Sequence, residues 1–199
     1  TDDSCPHTFP GDNLANTLLR AGLTFGIYSE SMPSAGYTGC VYGHYQRKHN
    51  PAVNWQGVNI PPSANQTFSN FPRDFSKLPT VAMVVPNQEN DMHNGAELEA
   101  IMRGDAWLRT HLDAYVRWAE THNSLLIVTW DEDDDSENNR IATIFIGPMV
   151  RKGVYAQRID HYNVLRTILE LYLLPPIGRS ADAPVIDGIW QRVPSRRSK

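Results

Sequence analysis

The sequence predicts an α/β fold: a mainly parallel sheet with helices on both faces. Three observations carry this prediction. Short apolar runs at 81–85, 125–130 and 141–146 hold no charged residue, as expected of strands covered on both sides. Leu108, Leu112, Tyr115 and Ala119, and later Leu165, Ile168, Leu169 and Tyr172, recur at helical spacing. The two patterns alternate along the chain, as βα units do.

The elements follow in order. Asp12 or Asn13 caps a short helix carrying Leu14, Leu18 and Leu19, and Gly22 stops it. Residues 23–28 read as a strand. Residues 29–79 are rich in Pro, Gly, Asn and Ser and show no period. That is too long for a plain connection, which points to a functional excursion. Pro79 and Pro86 bound the strand at 81–85. Asp105 is expected to cap a long helix. Strands at 125–130 and 141–146 follow, the second closed by Gly147-Pro148. A last helix over 163–174 ends at Pro175. The whole reads as one domain over 1–199, with a frayed basic tail from 191.

Composition excludes several classes. The chain has 199 residues, with 18 Lys+Arg against 22 Asp+Glu and a net charge of -4. A generic nucleic-acid binder would need a positive face instead. Hydrophobic residues make up 41% and charged residues 20%, enough to bury a core. No apolar run approaches the roughly 20 residues of a membrane span. No signal peptide is visible, and a chain opening on Thr1 reads as a processed or truncated product. The two cysteines, Cys5 and Cys40, are either inert buried thiols or one disulfide. Pro6, Gly39 and the wealth of Trp and Pro favour the disulfide and an exported protein.

Open α/β sheets bind ligands beyond the carboxyl ends of their strands. Three polar clusters follow apolar runs here: 86-PNQENDMHNG-95, 131-DEDDD-135 and 160-DH-161. Converging carboxylates and imidazoles hold metals or run acid–base chemistry. Asp131 and Glu132 touch a strand end and are expected to face the crevice, whereas Asp133 to Asp135 read as a solvated turn. An EF-hand reading of this run fails, because Ser136 stands at the glycine position and Ala142 at the glutamate position. No nucleophile elbow, P-loop or HExxH motif occurs. The stretch 44-HYQRKHNP-51 is either an exposed basic turn or an anion clamp. Asn65-Gln66-Thr67 is a glycosylation sequon, relevant where the host glycosylates exported proteins. Trp107 and Trp118 read as core.

The strings 28-YSESMPSAGYTGC-40, 47-RKHNP-51, 86-PNQENDMHNG-95, 104-GDAWL-108, 130-WDEDD-134 and 161-HYNVLRTI-168 resemble the phosphoesterase family. That family groups bacterial acid phosphatases with phosphatidylinositol-phosphate phosphatases and phospholipases C. The resemblance runs from Thr1 to about Trp190. It implies an alkaline-phosphatase-like three-layer sandwich and metal-assisted hydrolysis of phosphate esters, secreted or periplasmic. It places Asp131, Glu132, Asp91, His93 and His161 at a divalent ion, which is Zn, Mn, Mg or Ca. It gives His93, His49 and Asp91 catalytic roles, and sets Lys48, His49, Asn50 and Asn87 against the substrate phosphate.

One departure stands out. The family's first metal-binding segment and its hydroxyl nucleophile lie upstream of the motif seen here as 2-DDSCP-6. The expectation is therefore a member lacking its amino-terminal segment and first strand, for which that segment is a partner. Ser4 and Thr8 do not sit in the nucleophile's context. The intact protein is expected to form and then hydrolyse a covalent phosphoryl-enzyme. The alternative is a truncated or non-catalytic relative that binds phosphate ligands or metal without turnover.

Overall fold

The computed structural model describes residues 3–133 and 136–191. The fold is α/β, and the chain forms two compact units, Thr1–Leu108 with His161–Val185, and Arg109–Asp160 with Ile186–Lys199. Asp134, Asp135 and the basic tail beyond 191 lie outside the described residues.

In the first unit, α1 (Leu14–Arg20) is capped by Asn13, whose side chain accepts the Asn16 N–H. Its buried residues Ala15 and Leu18 meet Phe25, Ile27, Ala52, Ile60 and Ala64 in the core. β1 (Phe25–Ser29) is buried at all five positions because it is flanked on both sides. β4 (Asn65–Thr67) and β5 (Val81–Val85) pair parallel to it, with Ile27 opposite Asn65 and Met83. The long excursion holds β4, a short hairpin of β2 (Val41–Tyr42) and β3 (Tyr45–Gln46), and several 3-10 turns. A disulfide joins Cys5 to Cys40. α3 (His161–Leu171) buries Asn163, Thr167 and Leu169, and Asn163 donates to the Pro184 carbonyl.

The long helix corrects the sequence reading. α2 spans Glu97–Ala119, so Asp105 lies inside it rather than at its start. Glu97 and Glu99 occupy its first turn, where carboxylates oppose the positive end of the helix dipole. α3 likewise starts two residues before the predicted Asn163 and ends before the predicted Leu174.

In the second unit, β6 (Leu126–Thr129) and β7 (Thr143–Ile146) pair antiparallel. Parallel pairing, expected to dominate, is found in β4-β1-β5 among the described strands. Trp190 meets Phe145 edge-on, and the Arg151 N–H donates to the Ile189 carbonyl at 2.7 Å.

Candidate functional site

Two segments of the first unit build the site. The first is the 3-10 turn Arg47–His49, which follows β3. The second is the loop 86–95, which leaves the carboxyl end of β5.

Side chains from these segments meet. The His49 Nδ1 stands 3.2 Å from Asp91 Oδ2, and both side chains are largely buried. An ionised carboxylate only accepts, so Nδ1 carries the proton and Nε2 is left to meet a ligand. The other Asp91 oxygen accepts the His93 backbone N–H at 2.9 Å. The His93 ring lies 5.9 Å from the His49 ring, centroid to centroid. Its Nδ1 stands 3.1 Å from Asn94 Oδ1. The Asn94 amide nitrogen donates to Glu89, which fixes Oδ1 as an acceptor, so His93 also keeps Nε2 for a ligand. Lys48 precedes His49 in the chain and holds Asp3 at 2.8 Å. Hydrogen bonding to Lys48, with the charges of Lys48, His49 and His93, keeps the Asp3 carboxyl below its usual range.

The anion-clamp reading of 44–51 therefore divides. Lys48 and His49 belong to the site. Arg47 is buried, and its guanidinium donates to the carbonyls of Thr38 and His7 and to Asn54 Oδ1. A cavity of about 70 Å³ beside it is lined by Ser4, His7, Phe9 and Lys48. Asn50 is fully buried, and its amide donates to Asn65 Oδ1 at 2.8 Å. Asn87 shapes its own loop: Oδ1 accepts the N–H groups of Glu89 and Asn90, and Nδ2 donates to Ser31. Asn50 and Asn87 thus make bonds within the protein, while the buried Asn50 Oδ1 has no hydrogen-bond partner among the described residues.

The loop is held rigidly. Arg103 of α2 donates to the carbonyls of Glu89 and Asn94. Met92 has a φ of 78°, a conformation that a side chain enters at a cost. Gly104 lets the loop come close, since a Cβ there would lie 2.4 Å from the Met92 side chain and 3.2 Å from the Asn90 carbonyl.

Sequence reasoning passed over Glu30. It follows β1 directly, and its carboxylate accepts from the Asn87 N–H, from Asn90 Nδ2 and from Trp107 Nε1. The rule applied to the other strand ends finds it when applied to β1. Asp3 carried no such signal, because only tertiary folding brings it to Lys48.

His161 is the first residue of α3 and is exposed. Asp131 and Glu132 are exposed after β6, and Asp133 accepts the N–H groups of Glu137 and Asn139, as a turn residue does. Two imidazoles and a carboxylate suit a borderline divalent ion. Yet both Asp91 oxygens are already engaged, and among the described residues no three His, Cys, Asp or Glu side chains gather to hold a metal. His49, Asp91 and His93 therefore do not form a metal cage by themselves.

Comparison with known proteins gives this geometry a context. The profile of the Phosphoesterase family matches residues 1–175. The chain is 48% identical over 193 residues to a phosphatidylinositol-3-phosphatase of Mycobacterium tuberculosis, covering 96% of this chain and 62% of that protein. It is 28% identical over 188 residues to an acid phosphatase of Aspergillus fumigatus, covering 83% of this chain and 40% of that protein. A phosphate-repressible acid phosphatase of Penicillium chrysogenum is 29% identical over 182 residues, with 83% and 43% covered. The chain thus spans between two fifths and two thirds of these relatives.

Proposed function

Because this chain belongs to the phosphoesterase family, we propose that it hydrolyses phosphate monoesters, with the head group of a 3-phosphorylated phosphoinositide as the first substrate to test. The observation that carries this reading is the His49–Asp91 pair, set beside His93 and Lys48. The similarity to a phosphatidylinositol-3-phosphatase supports the substrate class.

The residues divide the work by their chemistry. The substrate phosphate lies against the Lys48 ammonium and, when the rings carry protons on both nitrogens, against the Nε2–H groups of His49 and His93, whose charge and donors oppose its oxygens. Asp91 fixes the orientation of the His49 ring. His49 then holds a proton at Nε2 for the leaving ester oxygen. A divalent ion (Zn, Mn, Mg or Ca) would supply Lewis-acid chemistry there, lowering the pKa of an attacking oxygen and offsetting charge on the phosphoryl group. The family resemblance makes Asp91, His93 and His161 of the first unit residues to vary for it. The Cys5–Cys40 disulfide supports a secreted or periplasmic setting, where such bonds persist.

Hydrolysis of p-nitrophenyl phosphate and of phosphatidylinositol 3-phosphate vesicles tests this. Turnover is expected to vanish with a chelator and return with one of the four ions. His49→Asn and Asp91→Asn are expected to lose about a hundredfold or more in kcat. Normal turnover in both variants would remove the site assignment. Phosphate binding without turnover would make the chain a phosphate binder instead.

A further inference from the structure

We propose that Glu30 is the positioning residue of this site: it sets the main chain that aims Asp91 at His49. The inference rests on the hydrolase reading above and extends it to a residue outside the reacting cluster.

Glu30 stands at the carboxyl end of the central strand, half-buried. One carboxylate oxygen accepts the Asn87 N–H at 3.0 Å, and the other accepts Trp107 Nε1 at 2.9 Å. Asn90 Nδ2 reaches both oxygens, at 3.1 and 2.9 Å. All these donors are neutral, so Glu30 serves here as a multiple acceptor. It ties three elements at one group: the end of β1, the loop 86–95 and α2.

The bonds lead on to the reacting groups. Asn87 and Asn90 bracket the turn, and the Asp91 N–H donates to the Asn87 carbonyl at 2.9 Å. Asp91 then spends one oxygen on His49 and the other on the His93 N–H. Displacing residues 87–90 would therefore turn the Asp91 carboxylate away from His49. Only an acceptor-only group can take all of these N–H donors together. A glutamine would turn an NH2 against either the Asn87 N–H or Trp107 Nε1, and one bond would fail.

The variants Glu30→Gln and Asn90→Ala test this in the full chain, with p-nitrophenyl phosphate as substrate and inorganic phosphate as competing ligand. Both are expected to melt cooperatively and to lose about tenfold to a hundredfold in kcat. KM and the inhibition constant for phosphate are expected to stay within about threefold, because Lys48 and the imidazoles remain. A residue that only stabilises the fold would instead change melting and leave the kcat-to-KM split alone. Wild-type kcat in Glu30→Gln, with Asp91→Asn inactive, would overturn the inference and leave the hydrolase reading standing. If Glu30→Gln fails to fold, Asn90→Ala decides, and wild-type kcat there overturns the inference. Wild-type chain that never turns over, or an Asp91→Asn variant as active as wild type, would defeat the hydrolase reading and this inference with it.

Discussion

Lys48 holds its ammonium against Asp3, a carboxylate that is exposed and occupies the same charge a substrate phosphate needs. An exposed pair of this kind is weak, and removing it shifts affinity by a few-fold at most. Asp3→Asn is accordingly expected to tighten inorganic phosphate binding by a few-fold, read by calorimetry at low salt. Weaker binding in that variant would show that Asp3 assists the anion. Adding salt should shrink the difference, since the pair is screened. Neighbouring residues of 47-RKHNP-51 illustrate what a string of letters conceals. Residue types announced phosphate chemistry, and the proposed site uses His49 and Lys48. Arg47 and Asn50 have equally suitable side chains, yet both are buried and spent on internal acceptors. Their burial is decided by contacts with His7, Thr38 and Asn65, up to 40 residues away in the chain.

At the scale of elements, α2 and the loop before it form one device. Gly104 sits under Met92 and Asn90, where a methyl group has no room. Gly104→Ala would gain about 1 kcal/mol in helix propensity. Overpacking costs about 1–3 kcal/mol, and it presses on a loop already carrying a left-handed Met92. The variant is expected to melt at or below the wild-type temperature and to lose kcat. A rise in melting temperature with activity intact would show that the loop yields freely. Apolar runs made β5, β6 and β7 legible to within about two residues. β4 was not, because Asn65-Gln66-Thr67 has no apolar signature and is a strand only through pairing with β1. The start of α2 was hidden for a related reason. Leu98 and Met102 are 70% and 64% exposed, so the first turns break the amphipathic pattern that marks the rest.

For the whole molecule, the disulfide closes a separation of 35 residues and so ties the amino-terminal arm to the excursion. Removing it by the paired change Cys5→Ser and Cys40→Ser is expected to cost about 2–5 kcal/mol, measured by denaturant unfolding. An unchanged midpoint would mean that the arm's other contacts, those to Arg47, Lys48 and Asn54 among them, hold it without the bridge. Burial raises the Tyr28, Tyr45 and Tyr172 hydroxyl pKa values in the folded chain. Below about pH 10 they are neutral folded or unfolded and contribute no pH dependence. Above it the unfolded chain releases protons that the folded chain keeps, so stability should fall as pH rises further. A flat melting temperature between pH 9 and 11 would contradict this. The α/β class was legible at this scale because apolar runs alternate with helical periodicity along the chain. The antiparallel pairing of β6 with β7 was not, since direction leaves no mark on an apolar run.

Asn65 is fully buried, with its amide donating to Gln56 and to the Tyr37 carbonyl. A sugar on that nitrogen would displace both bonds and has no space in the native core. Oligosaccharide transfer in a eukaryotic secretory route acts on chain that is still extended, so the sequon would be modified before it could close. Material made in yeast should then separate into a glycan-bearing, misfolded pool and a sugar-free native one, and bacterial export is the route that avoids the division.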